Sequence, residues 1–215
     1  MYDPKTCSFI EVATEDAYRD FSYHFDNTYY INYYSRKALF AIEKLSDNIN
    51  ISDIKEAAFY YHIYTDMLFN SIGLINDRFI AKKHYSKILK ENIEINKKEY
   101  DFSNVNYPNI SDKVFRNFIE HINQKCEQLI KYKKYYGTFN FIHQDMNQKS
   151  IEELLSDEKK QNNILNLINR TYRIFYVNDG VAYTKEVSID DLKMELTKIY
   201  EISNNIWNYL TRVVI

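Results

Sequence analysis

Arg116, Asn117 and His121 lie close together in the run Arg116-Asn117-Phe118-Ile119-Glu120-His121. These residue types could cleave RNA by transesterification without a metal. One imidazole would take the proton from a ribose 2′-hydroxyl, and another would protonate the leaving 5′-oxygen. Histidine suits both tasks because its ordinary pKa of about 6.5 lies near working pH. Arginine stays charged and grips phosphate in bidentate fashion, stabilising the charge that builds in the transition state. Asn117 would orient His121 or donate to phosphate. DNA, lacking the 2′-hydroxyl, would not be cut.

A helix must present these groups. Ser111 is a good N-cap, and Asp112 sits near the positive end that follows. Val114, Phe115, Phe118, Ile119, Ile122, Cys126, Leu129 and Ile130 recur at helical spacing. At about 100° per residue, Asn117 and His121 share a face, whereas Arg116 and His121 stand about 140° apart. They flank a polar face opposite the apolar stripe and do not readily touch within one helix. A second copy across a two-fold axis would bring two Arg–His pairs into one cleft.

The Arg116-Asn117-…-His121 pattern resembles the signature of HEPN domains. The resemblance implies a helical bundle, a catalytic arginine–histidine pair, a homodimer with the site at its interface, and no metal or other cofactor. It also implies a product ending in a 2′,3′-cyclic phosphate and a role as a toxin or antiviral effector, with an antitoxin or other protein partner. One variant of the family carries a modified tyrosine two residues after the histidine. Asn123 stands there, so that form of regulation is not expected. Arg19–His24 and Arg78–His84 have related spacing. The later pair is preferred because Asn117 follows the arginine and the helix is cleanly capped. Arg19–His24 is the second candidate.

Plainer readings compete. Arg116 and Glu120 are also an i, i+4 pair of the kind common on helix surfaces. The chain could instead be a non-catalytic HEPN-like module that binds RNA or protein, or a helical scaffold unrelated to the family.

Lys125, Lys131, Lys133 and Lys134 follow the motif, interleaved with Tyr132, Tyr135 and Tyr136. Lysines among aromatics can hold single-stranded RNA by phosphate contact and base stacking. The same residues suit a helix C-terminus, where lysines offset the dipole and tyrosines pack. The basic run Arg78, Lys82, Lys83, Lys87, Lys90 reads as a solvated face. The clusters Tyr29-Tyr30, Tyr33-Tyr34 and Tyr60-Tyr61 read as core and interface filler. His62, His84 and His143 read as structural, as does His24 unless the second motif is the functional one.

Composition excludes several chemistries. Only three glycines and two prolines occur in 215 residues, against roughly 7% and 5% in average proteins. The glycines are scattered, so neither a Walker A loop nor a dinucleotide fingerprint is present. Cys7 and Cys126 are too far apart for a zinc knuckle, and no HExxH occurs. A net charge of −2 does not announce a nucleic-acid binder. No secretory signal or apolar run of transmembrane length is visible, and two unpaired cysteines fit a reducing compartment. A cytoplasmic protein without membrane contact is expected.

The same scarcity of turn formers argues against an all-β fold. The spacing predicts a helix from Glu15 to about Asn48, with Phe21, Phe25, Tyr29, Tyr33, Leu39, Ile42 and Leu45 as its apolar positions. A second long helical region runs from Ser52 to about Asn96, striped by Ala57, Tyr61, Tyr64, Leu68, Ile72 and Ile75, with a bend near Ile80. Glu99–Ile110 is a connector. Short helices are expected at Ile151–Leu155 and Asn162–Asn169. A β-hairpin spans about residues 170–187, and Ser188 caps a last helix through Leu210. The sum is an all-α, up-and-down bundle of four to five helices with an appended hairpin, in a single domain over 1–215.

Overall fold

The computed structural model describes residues 2–3, 8–9, 15–47, 54–112, 114, 130–132, 139–157, 163–178 and 181–214. Among these are five helices: α1 (Glu15–Ser46), α2 (Ile54–Asp77), α3 (Lys87–Glu99), α4 (Gln148–Ser156) and α5 (Ile189–Val214). Six strands accompany them: β1 (Tyr2–Asp3), β2 (Ser8–Phe9), β3 (Asn140–Ile142), β4 (Asn163–Asn166), β5 (Thr171–Asn178) and β6 (Val181–Ser188).

The expected all-α bundle with an appended hairpin is therefore corrected. The strands expected for the hairpin are β5 and β6, and they form half of a four-stranded mixed sheet in the order β3-β4-β5-β6. β3 and β4 run parallel, with Asn140 opposite Ile164, and the other pairs are antiparallel. The stretch expected as a short helix at Asn162–Asn169 holds β4 and a tight turn. Its physical reason is length: β3 and β4 are three and four residues long, too short for a period of 2 to separate from one of 3.6.

Local chemistry explains the element ends. Ser86 accepts from the Leu89 N–H at 3.2 Å and starts α3, so the long region beyond Ser52 is two helices separated by a turn, not one bent helix. α3 stops in a Schellman closure. The Phe102 N–H donates to the Lys97 carbonyl at 2.7 Å and the Asp101 N–H to that of Lys98 at 3.2 Å. Asp101 takes the left-handed position with φ 50°, which a short polar side chain tolerates. Asn147 caps α4 through the Ser150 N–H, and Ser188 caps α5 through the Asp191 N–H at 3.1 Å.

The chain divides into two compact units, one of Met1–Ala38, Ser71–Ser111 and Met194–Ile215, the other of Leu39–Asn70 and Asp112–Lys193. In the first, Ile31, Ile75, Ile93, Leu196, Ile199 and Leu210 are buried. The connector after α3 is fixed by aromatic stacking of Phe79 on Phe102 (4.1 Å) and of Phe102 on Tyr107 (5.2 Å). Glu195 of α5 accepts from the backbone N–H groups of Asn109 (3.1 Å) and Ile110 (2.9 Å) and from the Asn109 amide (2.7 Å). Burial, with Asp101 and Glu195 nearby, pushes the Tyr107 hydroxyl up to about 12.

In the second unit, Ala41, Ile42, Leu45, Tyr61, Leu68, Phe69, Ile142, Ile164, Leu165 and Tyr172 are buried. Phe69 packs on Tyr172 at 4.7 Å, whose hydroxyl donates to Asn163 at 2.7 Å. Of the expected α2 stripe, Ala57, Tyr61, Leu68, Ile72 and Ile75 are buried and Tyr64 is half-buried. On α1 the outcome differs: Tyr29 and Tyr33 are 46% and 48% exposed, while Ile31 and Ala38 are buried. Counting tyrosine as apolar misplaces that face, because its hydroxyl lets one side of the ring stay wet.

Candidate functional site

Arg116, Asn117, His121, Lys125, Lys133 and Lys134 lie outside the described residues. Just upstream, Val114 is helical and its N–H donates to the Asp112 carboxylate at 2.8 Å. Asp112, rather than the expected Ser111, makes this capping bond, and Lys185 of β6 pairs with the same carboxylate. Lys131 is exposed. Tyr132 is half-buried against Phe175 and Val177, its ring 5.8 Å from that of Phe175, so this tyrosine packs on the sheet. Of the second pair, His24 is buried with its ring 5.9 Å from that of Tyr23. Of the third, the Arg78 guanidinium lies 4.6 Å over the Tyr30 ring.

A different group of polar residues converges in the second unit. A pocket of about 180 Å³ is lined by Tyr61 from α2, Ser46 and Asp47 from the end of α1, His143 and Gln144 after β3, and Arg170 before β5. Leu45, Leu167 and Ile168 supply apolar wall. The sheet assembles it. Parallel pairing sets the end of β3 beside the β4–β5 turn, and the Leu167 N–H donates to the Ile142 carbonyl at 2.9 Å. Asn166 ties that turn by accepting from the Ile168 and Asn169 N–H groups.

Arg170 closes the turn with φ 52°, a conformation that costs a non-glycine residue energy and must be held by its surroundings. Three bonds hold it. Its Nε donates to Asp190 at 2.8 Å, its Nη1 donates to the Ser46 hydroxyl at 2.9 Å, and its carbonyl accepts from the Ile189 N–H at 2.8 Å.

His143 is 4% exposed and lies over Tyr61, with centroids 6.2 Å apart and planes 28° from parallel. The Asp145 N–H donates to Nδ1 at 3.2 Å, which places the proton of the neutral ring on Nε2. Asp145 Oδ2 lies 3.3 Å from the same Nδ1. Tyr61 has no exposed surface, and its hydroxyl has no hydrogen-bond partner among the described residues. Burial, and after it the Asp145 carboxylate, raise the pKa of that hydroxyl and keep it protonated. On the rim, Asp47 accepts from Lys44 Nζ at 2.7 Å.

The sequence reads His143 as structural, which its burial and stacking on Tyr61 fit, and gives no signal at Arg170. The two are distant in sequence, and only the β3–β4 pairing joins them. Among the described residues no group of three or more His, Cys, Asp or Glu side chains could hold a metal ion, and no helix is long and apolar enough to cross a membrane. Comparison with family models, with curated proteins and with solved structures finds no match to this chain.

Proposed function

We propose that the chain is a cytoplasmic, homodimeric, metal-independent RNA endonuclease of HEPN type, in which Arg116, Asn117 and His121 act. The observation that carries this reading is the residue pattern itself: a phosphate-gripping guanidinium, an amide and a proton-transferring imidazole, spaced as in the family's signature. The Asp112–Val114 bond supports it, since it is a capping bond four residues before Arg116. Lys125, Lys131, Lys133 and Lys134 would attract the RNA backbone. Tyr132, packed on Phe175, contributes less to base stacking than its sequence position implies.

The test is an RNA cleavage assay with EDTA present, comparing wild type with Arg116→Ala and His121→Ala. General acid–base catalysis is worth roughly 10²–10⁴-fold, so His121→Ala should lose cleavage on that scale while remaining folded. Cleavage by His121→Ala at the wild-type rate removes His121 from the mechanism. A strictly monomeric wild type by sedimentation, still cutting RNA, removes the shared cleft.

A second reading is favoured by one specific observation. The four-stranded sheet is an element that a simple HEPN bundle does not need. A non-catalytic module binding RNA or protein would retain RNA in a gel shift and leave it intact.

A further inference from the structure

The pocket at the β4–β5 turn gathers polar groups of several elements around one cavity. The share of liquid volume per water is about 30 Å³, so about 180 Å³ of space has room for roughly six waters, or for a molecule of several heavy atoms. Two donors meet there. Arg170 spends two of its five N–H groups on Asp190 and Ser46, which leaves three without a partner among the described residues. His143 is more than nine-tenths buried, and its Nδ1 takes the Asp145 N–H. No partner for its Nε2–H is found among the described residues.

The Tyr61 hydroxyl, on the ring that stacks with the imidazole, is fully buried and has no hydrogen-bond partner among the described residues, an unmet polar group in the pocket lining. Leaving Arg170 in a strained backbone conformation, fixed by three bonds, aims a permanent positive charge with little freedom left to lose on binding. The lining's one carboxylate, Asp47, has its charge offset by Lys44. Arg170 is likewise paired with Asp190 at 2.8 Å, so what the lining offers an anion is the three remaining guanidinium N–H groups rather than an uncompensated charge.

We propose that this pocket binds a small oxyanion, a phosphate monoester or a carboxylate, with its oxygens accepting from the Arg170 guanidinium and from His143 Nε2–H. The test changes neither Arg116 nor His121, so its failure leaves the nuclease reading untouched.

The experiment is calorimetric titration of the full chain with inorganic phosphate and, in a second arm, with acetate, at constant ionic strength in chloride. Saturable binding at one site per chain is expected in at least one arm, and the arm that saturates identifies the anion. His143→Asn keeps an acceptor for the Asp145 N–H and deletes Nε2. Arg170→Gln deletes the charge. Each should weaken binding by roughly tenfold or more, the worth of one hydrogen bond to a charged group. In wild type the nitrogen resonance of His143 Nε2 should move on saturation, a readout that holds even if a variant does not fold. The proposal is overturned if neither anion saturates, if a folded variant binds as wild type does, or if the His143 resonance stays still.

Discussion

Removing the Glu195 carboxylate should cost more than any surface substitution in the first unit. Glu195 is 9% exposed and collects three donors from the end of the connector: the Asn109 N–H, the Asn109 amide and the Ile110 N–H. Glu195→Ala strands all three. A buried donor left unsatisfied costs about 1–3 kcal/mol. Ile110 is buried and bears that in full, while Asn109 is half-buried and water recovers part of its share. The sum is roughly 3–5 kcal/mol. Glu195→Gln keeps one acceptor oxygen but turns an amide donor toward one of the N–H groups, and should cost about 1–3 kcal/mol. Urea unfolding followed by the fluorescence of Trp207, the single tryptophan, reads the same unit, since its ring packs on Phe25 and Tyr29. Amide exchange at Asn109 and Ile110 should accelerate in parallel. An unchanged urea midpoint for Glu195→Ala, with slow exchange at both amides, refutes the argument that these bonds hold the connector to α5.

Two further outcomes follow from buried polar groups. Tyr61→Phe deletes a hydroxyl that has no partner among the described residues, so thermal stability should stay level or rise; a loss above about 1 kcal/mol means the hydroxyl is bonded after all. Asp66 is partly buried, and desolvation raises its pKa more than His62, 3.5 Å away, lowers it. A carboxylate whose folded pKa exceeds its unfolded one penalises the fold while ionised, and the penalty fades as pH drops through the folded value. Asp66→Asn should therefore stabilise at neutral pH and lose that advantage in acid. Denaturation midpoints at both pH values check it, and an advantage that grows in acid contradicts the sign.

What the sequence disclosed depended on how many turns of a period each element offered. α2 spans 24 residues, and of the stripe read from spacing Ala57, Tyr61, Leu68, Ile72 and Ile75 are buried, with Tyr64 half-buried. α5 behaves alike through Ile189, Leu192, Leu196, Ile199, Ile206 and Leu210, while Ile202 and Trp207 of the same stripe are half-buried. β5 and β6, eight residues each, were legible as a hairpin from their alternation. β3 and β4 were not, because Asn140-Phe141-Ile142 and Asn163-Ile164-Leu165-Asn166 give one apolar pair apiece and their asparagines read as turn. The pocket was hidden for the same reason. Nothing local to His143 or Arg170 marks them, and their meeting depends on a parallel pairing that leaves no trace in either segment. The motif at Arg116–His121 was legible as residue types, and its role stands as the proposal above.

The parallel pairing of β3 with β4 also imposes an order on how the chain comes together. β5 and β6 are joined by two residues, whereas twenty separate β3 from β4. Closure entropy rises by about 0.6 kcal/mol for each doubling of a loop, so the longer link adds about 2 kcal/mol before any contact compensates it. Local pairs zip first and distant ones wait. On this reckoning β3 pairs after the β5–β6 hairpin has formed. His143 follows it directly in the chain, so the imidazole reaches the pocket together with β3. A ligand that grips it would select molecules whose sheet is complete, and would slow their unravelling from that edge.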